Sequence, residues 1–442
     1  MPISRRAILQ AGALGAFAAS APWLPMPLAH AEELEDRYFI FCYFNGGWDL
    51  LLGLDPRDPG EFRDDLKKST LIQPGFEMLS SSYRELVETS VEGMVFGPCI
   101  GDLANHADKL AVVRGMSMDT LTHEVGRRRF LTGHQPAGLQ AVGSSLATLL
   151  AATLGTNEPI PQLSVLVESY NSGQPGWSSA IRVTSVEDLS RALSPSPHPL
   201  DQAEQRYLDE LFDTLASQEE SPWRQEAYSS RKNAQDLVAL SLDERFDFLA
   251  DNAEMAELRN LYGIGSDLSS PAAQAATAVT AITNGISRCV SIEAGKSLDT
   301  HGPEWASAHP RELVRGFDLV AAIISDLERT LHPDGGTWLD KTTVVAFSEF
   351  GRTPLVNSSG GRDHFLHNAC VLAGGGVQGG QVLGRSSDTG MNPLPADLAT
   401  GQQDDAGETI KPEHIFRALL TGVGIDEDIG GLGVDPLTAL LA

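Results

Sequence analysis

The segment TTVVAFSEFGRTPLVNSSGGRDHF, residues 342–365, holds both the fold and the chemistry of this chain in outline. Thr342 to Phe347 is an unbroken β-branched and apolar run, the pattern of a strand buried on both faces. It stops at Ser348-Glu349. A loop rich in Gly, Ser and Asn follows and delivers Arg362-Asp363-His364. A core strand that ends on a carboxylate, followed by a loop that returns an Asp-His pair, is the arrangement of a site built over strand ends.

The same punctuation recurs outward along the chain. YFIFCYF (38–44) breaks at Asn45-Gly46-Gly47, and KLAVVRG (109–115), QLSVLV (162–167), CVSIEAG (289–295) and NACVLAGGG (368–376) read alike. Helical patterns over 140–154, 271–287, 311–330 and 412–422 alternate with them. That alternation predicts an α/β fold with a mostly parallel sheet. Residues 196–262 carry charged, amphipathic helical periodicity and no strand signal, and read as a helical insertion bounded by Pro195, Pro197, Pro199 and Pro271. The glycine run 374–384 lacks the Gly-Lys-Ser/Thr ending of a phosphate loop and reads as strand–turn–strand.

Composition narrows the classes. The chain has 442 residues, 42% of them hydrophobic, and a formal charge of −27. Such a surface repels nucleic acid and anionic lipid, so neither is an expected partner. Ser4-Arg5-Arg6 heads an Ala/Gly-rich stretch that ends at Ala29-His30-Ala31. This is the pattern of a twin-arginine signal peptide over residues 1–31, so the expected partner is that export machinery. The expected location is periplasmic or extracellular, with no stable membrane span and a mature domain over 32–442. The four cysteines, Cys42, Cys99, Cys289 and Cys370, form no CxxC motif, and their pairing stays open.

The polar residues that follow the apolar runs form the candidate site. They are Asn45 and Asp49, then Asp119, Thr122, His123 and Arg127, then Asp299 and His301, then Glu349 and Arg352, then Asp363 and His364. Carboxylate oxygen with imidazole nitrogen is a ligand set for a divalent cation such as zinc, manganese or calcium. Asp299, His301, Glu349, Asp363 and His364, with Asn45 as a neutral ligand, are the expected metal residues. Arg127 and Arg352 are the candidate clamps for an anionic group.

YFNGGWDLL, THEVGRRRFLTG, DTHGPEW, SEFGRTP, GRDHF and GGGVQGGQVLG, in this order behind a twin-arginine leader, resemble the DUF1501 family of exported bacterial proteins. That family is placed with the alkaline phosphatase–sulfatase superfamily. The resemblance covers nearly the whole mature chain and implies a three-layer α/β/α sandwich with a metal site over the strand ends. By position it sets Asn45 at the first-strand acid, Asp299 and His301 at the central pair, Glu349 at the late acid and His364 at the last histidine. Phe350 falls on a ligand position it cannot serve, which implies one metal ion. Counting back from Leu131-Thr132-Gly133 puts His123 at the nucleophile of sulfatases and Arg127 at their arginine. No Cys stands there, so formylglycine chemistry is excluded on that alignment. Thr122 or Ser117 as nucleophile, His123 as base or ligand, and direct attack by water all stay open. Two functions follow: a metal-dependent hydrolase of a phosphate, sulfate or related ester, its substrate a small molecule or glycan, or a non-catalytic binding or assembly protein on the same fold.

Overall fold

The computed structural model describes residues 34–194, 201–218, 237 and 240–442. The leader expected over 1–31, and parts of the expected insertion, lie outside the described residues. Residues Glu35–Ala442 form one compact unit.

Eight strands make the main sheet: β1 (Tyr38–Phe44), β2 (Leu110–Ser117), β3 (Gln162–Val165), β4 (Ile181–Val183), β5 (Cys289–Gly295), β6 (Thr342–Ser348), β7 (His367–Gly374) and β8 (Gln381–Leu383). Their spatial order is β8-β2-β7-β6-β1-β5-β3-β4. β7 runs antiparallel to β6 and β2, and the other neighbouring pairs are parallel. The central strand β1 is flanked by β5 and β6 and is buried along its whole length.

Side chains alternate across β1, and each face has its own core. Tyr38, Ile40, Cys42 and Phe44 join one cluster, and Phe39, Phe41 and Tyr43 join another. Helices α1 (His123–Thr132), α2 (Leu146–Leu154) and α5 (Pro412–Thr421) contribute to the second cluster. Helices α3 (Pro271–Thr283) and α4 (His309–Arg329) contribute to the first. The result is a three-layer α/β/α sandwich, as the family resemblance implies, on the mostly parallel sheet that the alternating pattern predicts. The glycine run after β7 turns the chain into β8, the expected strand–turn–strand.

Between β4 and α3 the described regular elements are helical: Val186–Leu193, Gln202–Gln218, Leu242–Phe246 and Ala253–Tyr262. No helix among the described residues is long and apolar enough to cross a membrane. All four cysteines are buried free thiols.

Candidate functional site

The parallel strands β1, β5 and β6 end side by side, and the loops that leave them build the site. After β6 the chain forms a two-residue strand, Gly351–Arg352, pairs it antiparallel with His364–Phe365, and sets His364 opposite Arg352. Asn357 closes the loop between them. Its Oδ1 accepts the Ser359 and Gly361 N–H groups, and its Nδ2 donates to the His301 carbonyl and to Asp363 Oδ1. The loop that sequence alone reads as flexible is therefore tied to the His301 segment.

Helix α1 places His123 at its first position. Gly126 allows this, because a Cβ there would fall on the Glu349 carbonyl oxygen. Gly46, with φ +114°, turns β1 away so that its backbone passes Asp299; a Cβ would lie 2.5 Å from the Asp299 nitrogen.

Three imidazoles surround the Asp299 carboxylate. His123 Nε2 lies 3.4 Å from Asp299 Oδ2. His301 Nε2 and His364 Nε2 lie 3.0 and 3.2 Å from Oδ1. The two latter nitrogens are 3.1 Å apart. Each ring is oriented through its other nitrogen. His123 Nδ1 meets Glu349 Oε1 at 2.8 Å, His301 Nδ1 meets Asp363 Oδ1 at 2.7 Å, and His364 Nδ1 meets the Leu121 carbonyl at 2.7 Å. A carboxylate or carbonyl oxygen only accepts, so all three Nδ1 atoms carry the proton. In the neutral rings the three Nε2 atoms then present lone pairs towards one carboxylate.

Bare nitrogens facing an anion repel unless a cation lies among them, and imidazoles fixed by outer acceptors are the usual support of a metal site. The donor set therefore fits a divalent ion. Among the described residues, His123, Asp299 and His364 bring ligand atoms within 4.8 Å of one another. His301 adds a further nitrogen through its contacts with Asp299 and His364.

The electrostatics agree at Asp299 and His364. Burial opposes ionisation of Asp299, but Arg352, through its hydrogen bond and its charge, outweighs it and holds the carboxyl well below its usual range. Burial lowers His364, against the hydrogen bond it donates to the Leu121 carbonyl. The hydrogen bond to Glu349 raises His123 against partial burial. The His301 hydrogen bond lowers Asp363. Phe350 is fully buried and walls the site, with ring centroids 4.9 Å from His123 and 4.3 Å from His364.

The other candidates fall elsewhere. Glu349 is fully buried behind His123, where it accepts the Gly46 N–H and the Ser348 hydroxyl; it supports the ring. Asp363 stands behind His301 in the same way. Asn45 turns to Glu293, donating to Oε2 at 2.8 Å. Neither arginine is free as a clamp. Arg352 is buried and donates to the carbonyls of Gly46, Gly47, Leu298 and Arg362 and to Asp299. Arg127 pairs with Glu168 at 3.0 Å. Thr122 is the exposed N-cap residue of α1, and its side chain makes no capping hydrogen bond. Sequence reasoning missed Glu168 and Glu293. A carboxylate inside the apolar run CVSIEAG was the available signal for Glu293, whose pKa burial raises.

Residues 36–402 match the model of the family described as protein of unknown function (DUF1501), and the chain belongs to that family. No curated protein matches it in sequence. Three solved structures resemble it in fold. Ps i-CgsB has 10% identity over 91% of this chain and 75% of that one, with a TM-score of 0.40. A putative sulfatase from Bacteroides thetaiotaomicron has 9% identity over 92% and 75%, with a TM-score of 0.35. The alkaline phosphatase of the Antarctic bacterium TAB5 has 9% identity over 89% and 100%, with a TM-score of 0.33.

Proposed function

We propose that this protein is an exported, metal-dependent hydrolase that cleaves a phosphate, sulfate or related ester. His123, Asp299 and His364 would hold one divalent ion, with His301 joining them. The observation that carries the reading is the set of three imidazoles, each committed through Nδ1, with their Nε2 atoms gathered on one carboxylate. The site is also open: the Asp299 and His301 side chains are 48% and 44% exposed. Structural metal sites are closed, whereas catalytic ones leave a position for water or substrate.

A divalent ion bound there supplies Lewis acidity towards an ester oxygen. The chain's own residues do the rest. Glu349 and Asp363 fix the proton on Nδ1 of His123 and His301. Arg352 holds Asp299 ionised and aimed. Phe350 keeps water from the back of the rings. Thr122, at the positive end of α1 and next to His123, would be the attacking hydroxyl, and a water molecule is the other candidate.

The internal commitment of Arg127 and Arg352 favours a second reading, a protein that holds the ion without turnover. Chelator-stripped mature protein, reloaded with zinc, manganese or calcium, should be assayed on aryl phosphate, aryl sulfate and a phosphodiester. The hydrolase reading expects turnover that Asp299→Asn and His364→Ala abolish, with Thr122→Ala separating hydroxyl from water attack. One equivalent of metal with no turnover on any ester would establish the second reading.

A further inference from the structure

A second concavity, of about 1030 Å³, opens between α3, α4 and the segment Gly101–Lys109. Its wall includes Gly295 and Lys296, at the end of β5 and on the loop that carries Asp299. Three residue steps separate Lys296 from Asp299, so their Cα atoms are at most about 11 Å apart. The volume is that of a site for a ligand of several rings.

The lining indicates the ligand's chemistry. The carboxylates of Asp102, Glu312 and Asp318 stand against the cations Lys296 and Arg315, and Arg315 already pairs with Glu312 at 3.1 Å. Burial and the nearby Lys109 lower the pKa of His106, which keeps its ring neutral. On a chain of formal charge −27 this is a nearly balanced patch, suited to a ligand without strong charge of its own. Groups that both donate and accept are plentiful: the amides of Asn105 and Asn260, and the Ser325 hydroxyl, 3.1 Å from His106 Nε2. Leu261, Pro271, Ala272, Leu319, Ala321 and Ala322 supply an apolar wall against which the non-polar face of a sugar ring can lie. Among the described lining residues the one Phe, Tyr or Trp is Tyr262, which is 4% exposed and donates to Asp326, so its ring is not offered for a base to stack on.

We infer that this cleft binds a neutral polyhydroxylated ligand of carbohydrate type. The inference rests on the hydrolase reading for one further step: the cleft holds the alcohol part of the ester whose anionic end reaches Asp299.

Binding and turnover are tested apart. Maltotriose, cellotriose and mannotriose are titrated against the mature protein and followed by saturation-transfer NMR. At least one should bind. Asn260→Ala, an exposed position, and Ala322→Trp, which fills the cleft, should each weaken that binding by about fivefold or more. His364→Ala should leave it unchanged, since the cleft is separate from the imidazoles. Binding by none of the three sugars, or binding that both cleft variants leave intact, overturns the proposal. Sugar binding by a protein that hydrolyses no ester leaves the cleft standing and removes the hydrolase reading alone.

Discussion

His123, His301 and His364 arrive at Asp299 from a helix N-terminus, a strand-end loop and a short hairpin, and each ring is turned by a different oxygen: Glu349, Asp363 and the Leu121 carbonyl. The outer oxygens decide whether the inner nitrogens are available. Removing one should loosen the ion without unfolding the chain. Asp363 has an exposed side chain, so Asp363→Ala should change stability little. It should weaken metal affinity by about 10–100-fold, read by competition with a chelating dye. Unchanged affinity would mean that the orientation of His301 does not matter. Sequence put Asp299, His301, Asp363 and His364 in one place because each follows a strand and carries the right chemistry. It did not separate ligand from support. That depends on which way each side chain leaves the end of its strand: Glu349 turns behind His123, and Asn45 turns to Glu293.

Helix α1 carries His123, and its placement rests on the stack of Phe130 against Phe347 of β6, with centroids 4.0 Å apart and rings 5° from parallel. Phe130 is 1% exposed. Phe130→Ala should therefore cost about 3–5 kcal/mol, measured as a lower urea midpoint; a loss below about 1 kcal/mol would show that the layer closes without it. The sequence HEVGRRRFLT has no clean apolar stripe, which is why periodicity missed this helix. Its charges are absorbed by partners distant in sequence: Arg127 and Arg128 by Glu168, and Arg129 by Glu413. The central strands were readable because burial on both faces demands continuous apolar runs. The edge strand Ile181–Val183 is partly exposed, with the charged Arg182 at its centre, so it gave no such run.

At the scale of the whole molecule, acid should unfold this protein by a route that sequence does not reveal. His309 and His367 are buried, and burial above all, with nearby arginines adding to it, lowers each to about 4. An unfolded histidine titrates near ~6.5. The unfolded chain therefore takes up these protons first. Stability from the two neutral rings is complete above about pH 6.5 and is lost as the pH falls towards 4, by up to about 3 kcal/mol each. Urea midpoints at pH 7 and pH 4.5 should differ accordingly, and equal midpoints would mean that these rings are protonated in the fold. The α/β class and the mostly parallel sheet were legible in the alternation of strand and helix patterns, the three layers came from the family resemblance, and the candidate metal residues were named from residue type and position alone. The metal content of the protein purified from its native host, measured by elemental analysis alongside His123→Ala and His364→Ala, tests the assignment most directly. One equivalent of a divalent metal in the parent, lost in both variants while their circular dichroism is unchanged, is the predicted result. A folded parent without metal, or variants that keep a full equivalent, would contradict it.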